Sequence, residues 1–342
     1  MKYILYATIL VVLFSCNPGR YVDKGKSNSY FKSRLGLLYY SPGGNWFGEG
    51  INRCRADKKT FEVVSRDIAR DQNSIYYCGY RQNVDYETFY IDSQGIARDS
   101  DFVYKYDLWL LKPIAGIDAG SFEYLDVDTF YHTWSRDKNY YYMNHKKIDV
   151  DYNTFTFLNT HFSTDKDSLY AELRGWKFIS VKEFSSDLSV INSEYIHDSN
   201  TLYYVSTFKR VELRTNHFSS FDTIRIVDND VICVNDKVIY YGIVFKSTEV
   251  DAYTFELYDP NVISFYSKDK NHVYYREEIV AEANPATYVP LAFGFGKDDK
   301  HVYHETHILE GVDAKSFRER GKYSCIYRDD YGNKYDWLGN KL

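Results

Sequence analysis

Length, composition and charge limit what this chain can be. It has 342 residues, 42 Lys and Arg against 48 Asp and Glu, and a net charge of −6. A mildly acidic chain without a basic stripe lacks the charge that attracts a phosphate backbone, which excludes nucleic acid as an expected partner. The 36 Tyr and 22 Phe far outnumber the 2 Met and 6 Pro. Because aromatic side chains suit pleated sheets, the composition indicates an all-β fold.

The N-terminus has the parts of a secretory signal. Lys2 is followed by a largely apolar run over residues 3–14 and by Ser15 and Cys16. The run is too short to span a bilayer, so residues 1–15 are interpreted as a signal peptide. The segment ending in Cys16 resembles the lipobox of bacterial lipoproteins, which implies that Cys16 carries fatty acids such as palmitate and becomes the mature N-terminus. An ordinary secretion signal with a coincidental Cys is the alternative.

The lipobox resemblance predicts a cell-envelope location, with the membrane as a partner through the N-terminal lipid. Two or three acyl chains would hold the protein stably, whereas one chain is marginal. Asn17 follows the Cys where the inner-membrane retention signal has Asp. In a cell with two membranes, we therefore expect the outer one.

After Cys16 the chain divides into a polar segment and one long repetitive region. Residues 16–35 are rich in Lys, Ser, Asn and Gly, which is typical of a tether. No linker interrupts residues 36–342, so a single repeat domain is expected there. Its end, from Tyr327 to Tyr335, predicts a truncated repeat that acts as a C-terminal cap.

A first marker, Asp-x-x-[Ser/Thr]-Phe, recurs at intervals near 30 residues. An Asp in this position caps a helical turn by accepting hydrogen bonds from backbone N–H groups, and the apolar residue before it packs on the Phe. Each copy is therefore predicted to be a single helical turn that places a Phe in the core. The copies begin at Asp57, Asp85, Asp118, Asp151, Asp251 and Asp313, with degenerate copies at Glu183-Phe184, His217-Phe218 and Thr287-Tyr288.

A second marker, Asp-x-[Asn/Asp]-x-aliphatic-Tyr, alternates with the first. Asp and Asn favour tight turns, and the apolar-Tyr run that follows is typical of the return strand of a hairpin. The copies begin at Asp71, Asp99, Asp165, Asp198 and Asp269, with near variants at Asp137 and Asp298.

Together the markers predict a tandem array of roughly 30-residue β-hairpin or meander repeats with single helical turns. Propeller blades are usually longer, with about 40 to 50 residues, so an open, curved array is favoured over a closed β-propeller.

Two copies of the second marker carry a family resemblance. The segments Asp137-Lys138-Asn139-Tyr140-Tyr141 and 269–275 are similar to the signature of the DKNYY family of bacterial exported repeat proteins. The similarity extends over roughly residues 36–335. It implies export and a repeat fold, and it implies no activity.

Cysteines and oxygen ligands offer two candidate sites. Export permits disulfides, and Cys54 with Cys78 is the most plausible pair because the two lie in adjacent repeats. The Asp/Asn turns, such as the one that begins at Asp165, could bind calcium. Because none of them continues into an EF-hand loop, a structural turn is favoured, and no cofactor or metal is expected.

No catalytic constellation stands out, so the chain is not expected to be an enzyme. Repeat arrays present broad surfaces to partners, and we expect a binding or scaffold module with an envelope protein or glycan as partner. A glycan-processing enzyme on a β-propeller is the alternative. The candidate ligand-stacking residues are Tyr77, Tyr142, Tyr204 and Tyr275, for which packing between neighbouring repeats is the favoured interpretation.

Overall fold

A computed structural model describes residues 19–127, 132–173, 175, 177–205, 213–258, 265–321 and 325–342. The signal peptide and Cys16 lie outside these residues, so lipid attachment stays a prediction. Within the described ranges, no helix has the length and apolar character needed to cross a bilayer. The one helix in this part of the chain is a 3₁₀ turn, Pro42–Gly44.

The described strands form ten antiparallel sheets, nine with four strands and one with three. Each sheet is a meander of strands that follow one another in the chain, and no described strand pairs with a strand of another sheet. The all-β array of meander repeats predicted from the two markers is therefore confirmed.

The chain divides into two compact units, and the single repeat domain over residues 36–342 stays a prediction. Unit 1 comprises residues 1–126 and 133–149, and unit 2 comprises residues 127–132 and 150–342. The sheets of unit 1 are β1 (Arg20–Tyr21), β2 (Tyr30–Lys32), β3 (Leu38–Tyr40) and β4 (Asn52–Cys54); β5 (Glu62–Val63), β6 (Ile68–Arg70), β7 (Ile75–Tyr77) and β8 (Tyr80–Arg81); β9 (Tyr90–Ile91), β10 (Ala97–Arg98), β11 (Val103–Asp107) and β12 (Leu110–Pro113); and β13 (Glu123–Tyr124), β14 (Trp134–Arg136), β15 (Tyr141–Met143) and β16 (Lys146–Lys147).

Unit 2 contains six sheets, and the last of them, whose role as a C-terminal cap stays a prediction, has three strands. They are β17 (Thr156–Phe157), β18 (Phe162–Thr164), β19 (Leu169–Leu173) and β20 (Lys177–Val181); β21 (Ser189–Val190), β22 (Tyr195–His197), β23 (Thr201–Tyr204) and β24 (Arg214–His217); β25 (Ile224–Asp228), β26 (Val231–Val234), β27 (Lys237–Tyr240) and β28 (Ile243–Val244); β29 (Glu256–Leu257), β30 (Tyr266–Lys268), β31 (Val273–Tyr275) and β32 (Glu278–Ile279); β33 (Val289–Pro290), β34 (Phe295–Lys297), β35 (Val302–His304) and β36 (His307–Ile308); and β37 (Arg318–Glu319), β38 (Tyr327–Arg328) and β39 (Lys334–Tyr335).

The first sheet corrects the expected tether over residues 16–35. β1 and β2 lie inside that segment and pair with each other, and β2 pairs with β3. Tyr30 and Phe31 are buried. Two aromatic residues supply enough apolar surface to order a stretch whose composition is otherwise polar.

The first marker forms a single turn, which we call the staple turn, ahead of the first strand in the six repeats that contain it, as predicted. In one copy the Asp151 Oδ1 accepts a hydrogen bond from the N–H of Thr154 at 3.1 Å, and the N–H of Phe155 donates to the Asp151 carbonyl at 2.9 Å. Four of the six marker Phe side chains are buried, while Phe61 and Phe89 are half-buried.

Two repeats depart from the marker alignment. Ser185, which directly follows the degenerate copy Glu183-Phe184 instead of preceding it, takes the place of the marker Asp, because its N–H donates to Asp198 as those of the other copies do to their own partners. In the sheet β25–β28, the turn between the second and third strands contains no marker Asp, and the Asn235 Oδ1 accepts from the Thr223 N–H at 3.0 Å instead.

Neighbouring sheets are joined by buried tyrosines on the second strand. The Tyr30 hydroxyl donates to the Asp67 carbonyl at 2.8 Å in the next sheet of unit 1. In unit 2, Tyr195 donates to the Asp230 carbonyl at 2.9 Å, and the hydroxyl of Tyr266 contacts the Gly294 carbonyl at 2.6 Å. The ring of each Tyr side chain thus fills the core, while its hydroxyl donates a hydrogen bond to a backbone carbonyl of the next sheet.

Candidate functional site

The second marker centres on a buried carboxylate that joins both markers. Asp137 Oδ1 accepts the N–H groups of Asn139 and Tyr140, at 2.7 and 2.8 Å. Its Oδ2 accepts the N–H of Asp118 at 2.9 Å and the hydroxyl of Tyr142 at 2.7 Å. We call this arrangement the clasp. It ties the staple turn, the hairpin turn and the return strand of one repeat to a single side chain.

The clasp recurs in eight repeats. In seven of them the hydroxyl comes from the Tyr five residues after the Asp, and in the last the side-chain amide of Asn333 takes its place. All eight Asp residues are 1–6% exposed. The clasp residues are Asp71, Asp99, Asp137, Asp165, Asp198, Asp269, Asp298 and Asp329.

The Lys of the signature connects the two markers at the surface. Lys138 Nζ lies 2.7 Å from the Asp118 carboxylate, and Lys166 lies 2.9 Å from Asp151. These ion pairs are exposed and therefore contribute little to stability. The buried Asp and its Tyr are the stabilising part of the signature.

Hydrogen bonding sets the charge state of the clasp. Burial acts to raise the pKa of Asp137, but the bonds from backbone N–H groups and from Tyr142 outweigh it and hold the pKa below its usual value. Burial and the neighbouring carboxylate raise the pKa of Tyr142. The pair is thus a carboxylate that accepts from a neutral phenol.

The same geometry argues against a cation in these turns. A carboxylate has about four lone-pair sites, and in Asp165 four donors take them: two N–H groups on Oδ1, and an N–H and the Tyr170 hydroxyl on Oδ2. Among the described residues, no group of three or more His, Cys, Asp or Glu could hold a metal ion. The clasps are therefore interpreted as structural.

Three of the four tyrosines considered for ligand stacking are buried. Tyr142, Tyr204 and Tyr275 are core residues, and the ring of Tyr204 lies 4.6 Å from that of Tyr195. Packing was the favoured interpretation, and it holds for these three. Tyr77 is half-buried and contacts an exposed surface patch.

That surface, which we call the hairpin patch, surrounds the β11–β12 hairpin of unit 1. The Tyr77 and Tyr106 rings lie 5.3 Å apart, and those of Tyr80 and Trp109 lie 5.8 Å apart. Tyr80, Tyr106 and Trp109 are 42–46% exposed, and Leu108 at the tip is 80% exposed. Clusters of exposed apolar side chains of this kind mark interaction sites.

Gln82 holds the hairpin patch in place. Its side-chain amide donates to the Trp109 carbonyl at 3.1 Å, and its Oε1 accepts from the Leu111 N–H at 2.8 Å. The Tyr106 hydroxyl donates to the Gly95 carbonyl at 2.9 Å, and burial raises the pKa of Tyr106 to about 12. The Tyr106 phenol is therefore neutral at physiological pH, and its hydrogen bond fixes the ring against the neighbouring turn.

Sequence reasoning missed this patch, although a signal was present. Asp99 lies 19 residues before the next marker Asp, at position 118, whereas 14 residues separate Asp71 from Asp85. The additional residues lengthen the β11–β12 hairpin, whose strands have five and four residues. The longer spacing between Asp99 and the next marker Asp is thus the sequence signal for the hairpin patch.

Two buried His–Glu pairs lie outside the marker positions, in unit 2. His132 Nε2 is 3.6 Å from Glu172 Oε1, and His161 Nε2 is 3.5 Å from Glu194 Oε2. Burial lowers the pKa of His132. All four side chains are enclosed. A catalytic carboxylate must reach a substrate, so these pairs are interpreted as core contacts.

Three surface cavities of about 280 to 390 Å³ lie among the described residues, and none has Asp or Glu in its lining. The cavity in the first two sheets is lined by Arg53, Arg55 and Lys58. An acid–base pair for glycan hydrolysis needs two carboxylates. These cavities therefore do not provide the pocket that the enzymatic alternative requires.

Cys54 and Cys78 lie in one core cluster of the first two sheets. Both are free thiols in this structure, and burial raises the pKa of Cys54 to about 12. The pairing of these two residues stays a prediction.

A comparison with known protein families gave a match. A model of the DKNYY family matches residues 134–278 and 232–336, which together cover more than half of the chain. No curated protein and no solved structure gave a significant match. The matched region contains six of the eight clasp Asp residues and both residues of two Lys–Asp pairs, Lys166–Asp151 and Lys270–Asp251. On the strength of this match and of the repeated clasp, the chain belongs to the DKNYY family.

Proposed function

We propose that this protein is a lipid-anchored module of the cell envelope that binds a glycan through the hairpin patch. The observation that carries the proposal is the exposed group of Tyr80, Tyr106 and Trp109, beside which Gln82 bonds to the Trp109 carbonyl and the Leu111 N–H. In this proposal Cys16 supplies the anchor. The outer membrane is the expected location in a cell with two membranes.

A sugar is the ligand that suits this surface best. Tyr and Trp combine large, rigid apolar area with a polar atom, which matches a pyranose ring with its apolar face and hydroxyl edge. Exposed Arg81, Lys105 and Lys112 lie in the strand of Tyr80 and in the β11–β12 hairpin, and they carry donors for hydrogen bonds to sugar hydroxyls. Because the Tyr106 hydroxyl and the Trp109 carbonyl are already hydrogen-bonded, less conformational entropy is lost on binding.

Co-sedimentation with insoluble envelope polysaccharide tests the proposal. We expect the chain from residue 17 to bind, and Trp109→Ala to weaken binding roughly 30-fold, which corresponds to about 2 kcal/mol for an aromatic hot spot. Tyr253→Ala is the matched control, since Tyr253 is an exposed aromatic of unit 2. Equal binding by the Trp109 variant and the unmodified chain would rule the patch out.

The same assay separates binding from catalysis. A binding module leaves the polysaccharide intact, so the supernatant should contain no new reducing ends after incubation. Steady release of sugar fragments would instead support the glycan-processing alternative.

A further inference from the structure

The first sheet has a face that does not contribute to the core cluster it shares with the second sheet. Tyr30, Leu38, Tyr40 and Cys54 of the first sheet belong to that cluster. Since side chains alternate along a strand, the residues between them lie on the opposite face. Strand register places four of these in one row across the sheet: Tyr21, Phe31, Tyr39 and Arg53.

Apolar and basic groups meet on this opposite face. The Tyr21 ring lies 4.7 Å from that of Phe31, and Lys24 Nζ lies 5.8 Å from the centre of the Tyr21 ring. Leu35 and Phe47 occupy the loops at the two ends of the sheet and are 83% and 84% exposed. The most exposed apolar side chains of this sheet thus flank a row in which Phe31 is buried, Tyr39 is half-buried, and Tyr21 and Arg53 are exposed.

Charge distinguishes this sheet from the rest of the molecule. Residues 19–56 contain seven Lys or Arg and two Asp or Glu, a net charge of +5, in a chain whose total is −6. The remainder therefore carries −11. A basic surface with interfacial aromatic residues is complementary to anionic lipid, while the acidic remainder is repelled by it.

We propose that this face of the first sheet docks on an anionic lipid bilayer, with Leu35 and Phe47 entering the interface and Lys24 and Arg53 contacting headgroups. The orientation rests on the proposed anchor, because Tyr21 lies five residues after Cys16 and the chain between them can span at most about 17 Å. An acylated Cys16 thus keeps this sheet within reach of the surface. The protein then has the second membrane signal that strengthens a lipid anchor.

Vesicle binding by the chain from residue 17 tests this surface without the acyl chains. That chain contains every residue that the structure describes. We expect sedimentation with vesicles that contain phosphatidylglycerol, little with pure phosphatidylcholine, and weaker binding in high salt. Removal of one charge by Lys24→Gln should lower the partition coefficient about fivefold.

Variants of the two exposed loop residues test the apolar contribution. Phe47→Asp and Leu35→Asp should reduce vesicle binding without lowering the melting temperature, since both side chains project into solvent. Tyr331→Asp and Lys315→Gln, at exposed positions of unit 2, are the matched controls and should bind as the unmodified chain does.

Two outcomes would overturn the proposal. One is failure of the unmodified chain to bind phosphatidylglycerol vesicles, or equal binding by the variants and the controls. The other is a dimer in sedimentation velocity that Phe47→Asp converts to a monomer while vesicle binding is absent, which would make the face an interface between two copies. Neither outcome bears on glycan binding at Trp109, so this proposal and the proposed function can fail separately.

Discussion

At the scale of single residues, the clasp shows how a buried charge becomes a stabilising element. An isolated carboxylate in a core is costly, but one that accepts four hydrogen bonds keeps its charge. Asp137 meets this condition with three backbone N–H groups and one phenol. The chain repeats this solution instead of adding aliphatic residues, which accounts for part of its high tyrosine content.

We expect Asp137→Asn to lower the free energy of unfolding by about 1–3 kcal/mol at neutral pH. The side-chain NH2 of Asn would face N–H groups whose hydrogen bonds the carboxylate accepts, and two donors cannot bond to each other. The pKa of Asp137 is lowered in the folded state. Its contribution is therefore present above the unfolded pKa, about 3.9, and is lost as the pH falls below that value through the folded pKa. Urea unfolding at neutral and acidic pH measures both effects.

The variant should consequently lose less stability on acidification than the unmodified chain. Asp236→Asn is the control, because the Asp236 side chain is 71% exposed and lies outside any clasp. If Asp137→Asn and the control have the same stability and the same pH dependence, the clasp carboxylate is not a stabilising group.

At the scale of elements, each staple turn places one aromatic side chain between sheets. Phe317 is buried and lies 5.6 Å from the Tyr327 ring with nearly parallel planes, and 5.7 Å from Phe295. Its contacts thus join the last sheet to the one before it. In repeat proteins, stability is approximately a sum of repeat and neighbour terms.

Phe317→Ala should lower the free energy of unfolding by about 3–5 kcal/mol, because it leaves a cavity in a packed cluster. Hydrogen exchange should accelerate in β33–β39, while β17–β20 of the same unit stay protected. Phe102→Ala is the control, since Phe102 is 45% exposed, and it should be nearly neutral. Loss of protection throughout unit 2 would contradict a chain of neighbour interactions.

The two markers predicted the turns that contain a marker Asp, and they missed the turns in which another residue takes the place of that Asp. Each second-marker Asp does lie between the second and third strands of its sheet. Ser185 supplies a backbone N–H that any residue could supply, so no side-chain signal identifies it. Asn235 uses a different hydrogen-bond pattern in its turn. A search for the two markers therefore does not find this turn.

At the scale of the whole molecule, the anchor predicted at Cys16 determines where the sheets are held. Changing Cys16→Ala should transfer the protein from the membrane fraction to the soluble fraction while the melting temperature stays the same. The membranes should be washed in high salt, because the first sheet is proposed to hold anionic lipid through screened charges. Cys325→Ala, at a half-buried thiol, is the control.

Retention of the Cys16 variant in salt-washed membranes would show that the lipobox interpretation is wrong. Release of the Cys16 variant only after the high-salt wash would instead agree with both proposals. The variant lacks the acyl anchor, and the basic first sheet would hold anionic lipid until salt screens its charges. Fractionation followed by immunoblotting distinguishes these results.

The candidate site was less predictable than the fold. The sequence indicated that most marker tyrosines pack inside, and Tyr142, Tyr204 and Tyr275 do. The hairpin patch was not predicted, because Tyr80 and Trp109 come from different repeats. A periodic pattern does not indicate which residues outside the period contact each other. Their contact depends on how two successive sheets lie against each other in unit 1.

The short reach of the clasp also has a consequence for how the chain acquires its structure. Each clasp joins backbone groups only 13 to 19 residues apart, and every sheet uses strands that follow one another. Contacts of low sequence separation form quickly because little loop entropy is lost. A repeat can therefore close once its own residues are free, without waiting for later segments. Under the export proposed for this chain, folding would keep pace with translocation, and exposed strand edges would be protected one repeat at a time.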